Sequence, residues 1–325
     1  MKLISLSDFL SLIDQEIHDK LRDLDKFPNI QEQASYHLQK KGSRMIPIFA
    51  YWVARVLDLN LTKTIIVTTA VELFHNFTLI HDDIIDRDAW RRDQASLWAK
   101  FSEEEAIVIG DTLNNLSVLE LNKLNDTDVD KSEFKHILSS FSQYSFKVYQ
   151  GEYYDIIYGH RSDIKEEDSI MMNRLKSGST FAIISYLLSF LNSKNKNIHL
   201  LFEDMGYNVG IYLQIINDLT DYTLDGKNFS DWRNKKKSLP FIYLTLQEAY
   251  KDLEWSELSI ESVMDIIEDS KVYEKTINKA QEYKELSLHI LDEIEHASMG
   301  KIDCQSLKDI IRNDLEINKS CTTKN

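Results

Sequence analysis

Leu79–Gln94 reads LIHDDIIDRDAWRRDQ. It places Asp82, Asp83, Asp86 and Asp88 within seven residues and follows them with Arg91 and Arg92. The stretch before it, Thr62–Ile80, reads TKTIIVTTAVELFHNFTLI and is apolar over several helical turns. At about 100° per residue, Asp82, Asp83 and Asp86 share an arc of about 100° on one helix face. Two unit charges about 4 Å apart repel by roughly 4 kcal/mol at an effective dielectric near 20. Beside a core, such a cluster therefore needs cations. A second cluster ends another apolar run, GIYLQIINDLTDYTLDGK, where Gln214, Asn217, Asp218 and Asp221 also fall within about 100°. Hard oxygen donors without His or Cys suit Mg²⁺, which keeps waters and shares itself with substrate phosphates. Either cluster alone reads equally well as a solvated helix end in a chain of 53 acidic residues. Two clusters, both closing apolar helices and both followed by basic residues, point to a metal–diphosphate site.

The basic residues are Arg91 and Arg92 after the first cluster, and Lys227, Lys235, Lys236 and Lys237 after the second. Lys176, in RLKSGSTFAII, opens a further apolar helix, and by itself reads as a helix-end lysine. As a set, these cations could clamp the non-bridging oxygens of a diphosphate, arginine by bidentate contact. His81, beside Asp82, is expected to pack or hydrogen-bond at the helix end rather than to ligate.

Composition supports a helical chain. Of 325 residues, 43% are hydrophobic, while Pro (3) and Gly (9) are scarce. The formal charge of −15 argues against a nucleic-acid partner, which needs a basic face. Cys304 and Cys321 show no metal-ligand spacing, and so few cysteines suggest a reducing, cytoplasmic setting. The N-terminal MKLISLSDFLSLIDQEI reads as an amphipathic helix, not a signal peptide. The longest apolar run, Phe181–Leu191, is too short to span a bilayer. Polar breaks near Pro28, Asn125, Asp163 and Asn192–Asn197 separate long helices. The economical expectation is one helical domain over residues 1–325, with a motif core at about 41–246, a charged peripheral helical layer over 248–315 and a frayed tail over 316–325.

These residues resemble those of the trans-type polyprenyl diphosphate synthases. DDIID at Asp82–Asp86 resembles the family's first aspartate-rich motif, and Arg91–Arg92 its paired arginines. His75 resembles the histidine upstream of that motif. Gly110–Asp111 matches the family's GD, and Gln150–Asp155 its GQxxD segment. Lys176–Ser177–Gly178 resembles KT(G/A), GIYLQIINDLTD resembles GxxFQxxDDxxD, and SDWRNKKKSLP resembles the segment after it. The order of these motifs matches the family's over roughly two-thirds of the chain.

The resemblance implies an all-α, isoprenoid-synthase-like bundle around a central cavity, commonly in a homodimer. It implies Mg²⁺ on Asp82, Asp86 and Asp218, with Asp83 and Asp221 assisting and Asn217 beside them. It implies condensation of an allylic diphosphate with isopentenyl diphosphate, with Lys176 and Gln214 among the catalytic residues. Arg44, His75, Arg91, Arg92, Ser177, Lys227 and Lys236 would bind the substrates. Phe77, five residues before Asp82, would block a growing prenyl chain and keep the product short, at about 15 to 20 carbons. Read on its own, it is equally a core phenylalanine.

Three departures qualify this expectation. The family's GGKRxRP appears as KKGSRMIP, so Ser43 and Ile46 stand where cations belong, while Arg44 and Pro47 remain. At roughly 1.5–3 kcal/mol per charged hydrogen bond, losing two weakens binding by about two to four orders of magnitude unless Lys40 and Lys41 compensate. Asn217 replaces an aspartate, which weakens one metal site. The loop Tyr222–Asp231 is shorter than usual. The eroded acceptor motif keeps a second reading open: prenyl transfer to another acceptor, such as the tryptophan of a pheromone peptide, or class I cyclisation. A catalytically silent partner subunit and a helical scaffold without activity are the remaining alternatives. A metal phosphohydrolase is a further class, but no HD or DxD signature here comes with a suitable general base.

Overall fold

The helix carrying the first acidic cluster is apolar on nearly every face, so it is buried along most of its length. In the computed structural model, which describes residues 4–220, 234, 236–250, 253 and 258–313, this helix is α4, Leu61–Ile85. Asn60 caps it by accepting from the Thr62 and Lys63 amides. At its far end Arg87 adopts a left-handed φ of 59°. The amides of Arg87 and Asp88 then donate to the carbonyls of Ile84 (3.3 Å) and Asp83 (3.0 Å). This is a Schellman closure, with arginine where glycine is usual. It places the aspartates at the negative pole of the helix dipole, which sharpens their need for cations.

The described residues form α-helices, short 3₁₀ and π turns, and one two-stranded hairpin. They divide into two compact units. The first draws on Met1–Phe141, Ile183–Leu200 and Ile294–Asn325. It begins with α1 (Leu6–Arg22), α2 (Pro28–Gln39) and α3 (Met45–Val56), and α4 follows. In α1, Phe9, Ile13, Ile17 and Leu21 repeat every four residues and are buried. After α4 come β1 (Trp90–Arg91), β2 (Gln94–Ala95), α5 (Leu97–Lys100) and α6 (Glu103–Leu121). Glu103, Glu104 and Glu105 occupy the first turn of α6, where they complement its dipole. The α4–α6 contact is close because Gly110 has no side chain: a Cβ there would lie 2.5 Å from the His81 ring. The C-terminal helix of this unit is Gln305–Arg312.

The hairpin is tight. Trp90 pairs with Ala95 and Arg91 with Gln94, leaving Arg92 and Asp93 as a two-residue turn. Both have positive φ, 53° and 60°. That is the pattern of a type I′ turn, normally built from Asn or Gly. Left-handed backbone costs a non-glycine residue roughly 1–2 kcal/mol.

The second unit draws on Ser142–Ala182 and Leu201–Glu293. The chain enters it along α7 (Lys131–Gly159) and continues through α8 (Glu166–Asn173), a π turn (Arg174–Gly178) and the first turn of α9 (Ser179–Asn192), whose remainder belongs to the first unit; it re-enters the second within α10 (Lys196–Thr220). Further on lie α11 (Leu239–Thr245), α12 (Ile260–Asp269) and α13 (Val272–Ala297), and α14 (Gln305–Arg312) closes the first unit. Glycines let backbone meet backbone here. A Cβ on Gly151 would sit 2.4 Å from the Lys176 nitrogen, and one on Gly210 would sit 2.6 Å from the Gly178 Cα. The charged last third, expected as a peripheral layer, also carries core. Val263, Ile267, Val272 and Ala280 are buried with Ile211, Ile215 and Leu239. Breaks fall at the polar stretches that the sequence marks, before Pro28, after Leu121, after Gly159 and after Asn192.

Gly210→Ala should destabilise the protein by about 1–3 kcal/mol, because the groups it meets are main chain and have little room to yield. Gly159→Ala, where nothing lies within 4 Å of a Cβ, should be neutral or slightly stabilising. Urea midpoints of the two variants measure the difference.

Candidate active site

The three aspartates of the first cluster do not share one role. Asp83 is 1% exposed and turns inward. Both of its oxygens accept from the Arg91 Nε, at 2.6 and 2.7 Å, and Arg91 Nη2 lies 2.6 Å from Oδ1. Burial pushes the Asp83 carboxyl up to about 7, against the pull of Arg91. On Arg91, burial opposes the charge, but Asp83 and Asp82 outweigh it and raise the pKa above its ordinary value. Asp82 and Asp86, one helical turn apart, remain half-buried, and Asp82 lies 3.9 Å from Arg91. Asp83 and Arg91 are thus committed to each other, whereas the sequence placed one among the metal ligands and the other on substrate.

A second ionic group sits upstream. Arg44 holds a left-handed φ of 54° at the start of α3. Its guanidinium bonds Asp14 and, at 2.9 Å, the Glu72 carboxylate, which is 3% exposed. Lys41 reaches the same Asp14. Ile46, at the second lost cation position, is buried, and Ser43 is exposed. Arg92 donates to the Lys40 carbonyl at 2.7 Å and approaches Asn76 Oδ1 at 3.4 Å. It lies so close over the Lys41–Gly42 turn that a Cβ on Gly42 would stand 2.6 Å from its Nε. His75 is one residue from Asn76 on α4. Burial lowers its pKa to about 4; Glu72 pulls the other way, and Arg92 and Arg91 reinforce the fall. His37 falls to about 3, first through burial and then through Arg92 and Arg91. Both imidazoles are therefore neutral near pH 7.

Phe77 is buried on α4, its ring 4.7 Å from His81 and 5.7 Å from Phe74. His81 packs edge-on against Phe77 and over Gly110, and comes within 3.7 Å of Asp111. This is the packing role expected for it.

In the second unit, Lys176 rides on the π turn, a widened turn common at functional sites. Its ammonium lies 2.8 Å from Glu152 and 2.9 Å from Asp155, one turn apart on α7. Ser177 donates to Gln214 Oε1, and Gln214 Nε2 donates to Asp218 Oδ1 at 2.6 Å. Asp218 is buried while Asn217 is exposed. Lys236 is half-buried. Asp221, Lys227 and Lys235 lie outside the described residues. Glu72, Asn76, Asp14, Glu152 and His37 complete these groups without having been singled out in the sequence. The visible signal was Glu72, a carboxylate inside an apolar helix, which demands a buried partner.

Among the described residues, no three His, Cys, Asp or Glu side chains converge as a preformed metal cage, and no helix is long and apolar enough to cross a membrane. A sequence profile of the polyprenyl synthetase family matches residues 27–283. The chain is 30% identical over 227 residues to a geranylgeranyl diphosphate synthase of Saccharolobus solfataricus, covering 68% of each chain. It is 27% identical over 301 residues to a geranylgeranyl pyrophosphate synthase of Geoglobus acetivorans, covering 89% of this chain and 92% of the relative. A crystal structure of a geranylgeranyl pyrophosphate synthase superposes with a TM-score of 0.83 over 95% of this chain and 98% of its own, at 21% identity.

Asp83→Ala strands a largely buried guanidinium and should cost about 3 kcal/mol of stability, whereas Asp86→Ala should cost less than about 1 kcal/mol. Denaturation of both variants tests this. His37 supplies a pH signature. Its folded pKa is lowered, so below its unfolded value of about 6.5 the unfolded chain binds more protons. Its contribution is complete above pH 6.5 and is lost as pH falls toward 3. Between pH 7 and 5 the wild type should lose about 1–2 kcal/mol more stability than His37→Gln.

Proposed function

The chain belongs to the polyprenyl synthetase family, and from that membership we propose a Mg²⁺-dependent prenyltransferase that joins an allylic diphosphate to isopentenyl diphosphate and releases a short-chain polyprenyl diphosphate. The observation that carries this reading is the arrangement at the end of α4. Asp83 is buried against Arg91, and Asp82 and Asp86 stand half-buried one helical turn apart. An incomplete set of hard oxygens suits Mg²⁺, which fills its shell with waters and substrate phosphate. When bound, the ion supplies positive charge at the departing pyrophosphate.

Asp82 and Asp86 are proposed as metal ligands, and Asp218 is proposed as a metal ligand in its own unit, with Asn217 and Asp221 as further oxygen donors. Gln214 fixes the orientation of Asp218 through its 2.6 Å hydrogen bond. Lys176, Ser177, Lys227 and Lys236 contact the allylic diphosphate. Asp83 keeps Arg91 aligned and ionised beside the carboxylates, where the guanidinium offers charge to the same group. Arg92 and the neutral His75 anchor the acceptor. The acceptor's double bond attacks the allylic carbon as the C–O bond breaks, and a proton is then lost to the departing pyrophosphate. Phe77 closes the path of the growing chain, in keeping with a product of about 15 to 20 carbons. The reading extends to a cytoplasmic homodimer.

One observation favours a second reading. Arg44, the cation that survives in the eroded acceptor motif, is engaged by Asp14 and Glu72. With Ser43 and Ile46 beside it, that segment offers little positive charge to a second diphosphate. This favours an acceptor that carries no diphosphate, or cyclisation of the allylic substrate.

Incubation with Mg²⁺ and geranyl or farnesyl diphosphate, with and without isopentenyl diphosphate, separates the two readings. Elongation supports the first, and donor turnover that ignores isopentenyl diphosphate supports the second. Asp82→Ala and Asp86→Ala should each lower kcat/KM by roughly 10²–10³-fold, and chelation of the metal should abolish turnover. Phe77→Ala should lengthen the product, which chromatography of the dephosphorylated alcohols would show.

A further inference from the structure

The hairpin after α4 presents Arg91 and Arg92 from two short strand pairs, and its turn residues Arg92 and Asp93 are both left-handed without being glycine. Two pairs are too few to hold such a turn by themselves. Backbone strain of this kind persists only where the surroundings over-determine it. The surroundings here are the last turn of α2. Tyr36 Oη donates to the Ala95 carbonyl at 2.8 Å. The Tyr36 carbonyl accepts from Gln94 Nε2 at 3.1 Å, and Gln39 Nε2 donates to Gln94 Oε1 at 3.1 Å. The Lys40 carbonyl accepts from Arg92 at 2.7 Å. The Tyr36 carbonyl, in the last turn of α2, and the Lys40 carbonyl at its cap are thus taken up by the hairpin, the latter by a cation at the helix's negative pole. The Tyr36 ring packs edge-on against Phe101, 5.6 Å away, which fixes the direction of its hydroxyl.

We propose that Tyr36 is a positioning residue for Arg92. Its hydroxyl grips the strand that follows the strained turn, and that grip keeps the Arg92 guanidinium over the Lys41–Gly42 turn and beside Asn76. Tyr36 touches no substrate and acts only through the hairpin. The inference rests on Arg92 serving as an acceptor anchor, as proposed above.

Tyr36→Phe removes one hydroxyl and keeps the ring against Phe101. With Mg²⁺ and saturating geranyl diphosphate, the variant should raise the KM for isopentenyl diphosphate about 3- to 10-fold, the range expected for one lost hydrogen bond. The KM for geranyl diphosphate should stay within about twofold. Asp93→Gly, which relieves the left-handed strain, should recover part of the loss when added to Tyr36→Phe. Hydrogen exchange at the amides of residues 90–95 should quicken in Tyr36→Phe and slow again in the double variant. An unchanged KM for isopentenyl diphosphate, an equal rise for both substrates, or unchanged exchange at the hairpin would overturn the proposal. If the wild type itself ignores isopentenyl diphosphate, the acceptor reading falls, and the exchange measurement alone decides whether Tyr36 holds the hairpin.

Discussion

The Asp83–Arg91 pair is the interaction on which the first unit's site depends. Four aspartates at or just beyond the C-terminus of α4 oppose both one another and the helix dipole. An internal cation must meet part of that charge, and it has to come from outside the helix. The hairpin supplies it by folding back so that Arg91 reaches Asp83 with three close N···O contacts. Asp83 is met by Arg91, and Asp82 and Asp86 are the carboxylates proposed to attract an external cation. Geometry at the helix end therefore sets the buried Asp83 apart from the half-buried Asp82 and Asp86, although all three are aspartates within five residues.

The same logic recurs upstream and in the second unit. Arg44 pairs with both Glu72 and Asp14, Lys176 pairs with both Glu152 and Asp155, and Gln214 steadies Asp218. Each of these groups is half-buried or buried, where an unpaired charge would be costly. Each positively charged member also matches a family motif position proposed to touch substrate. Prepaid pairing of this kind keeps long side chains ordered before substrate arrives, which reduces the entropy lost on binding. It also limits how much positive charge remains for a second diphosphate, most visibly around Arg44.

Asp58, Lys271 and Met299 hold left-handed φ elsewhere, but a group of strained residues gathers near the charged segments. Arg44, Arg87, Arg92 and Asp93 all adopt left-handed φ, and Gly42 joins them. All lie on the segments that carry or flank the first acidic cluster and the eroded acceptor motif. They build the tight closure of α4, a two-residue hairpin turn and an abrupt start to α3. Tertiary hydrogen bonds from the end of α2 hold the hairpin turn.

Much was legible in the sequence because it depends on local pattern. Apolar periodicity with few Gly and Pro dictates helices, and polar stretches mark their ends. The ordered motifs identify the family, and the pairing of Asp82 with Asp86 follows from one turn of helix. The inward turn of Asp83 was not legible. Asp82 and Asp83 differ by about 100° around the axis, and which of them faces the interior depends on what packs against α4. Nor could spacing reveal that Arg44 meets Asp14 and Glu72, or that Tyr36 reaches Ala95, since these partners lie 28 to 59 positions apart. The sequence alone determined the helices, the family and the residue types available for chemistry. Only the tertiary structure decided which charges neutralise one another, because ion pairing falls off over a few ångströms and those distances are set by packing.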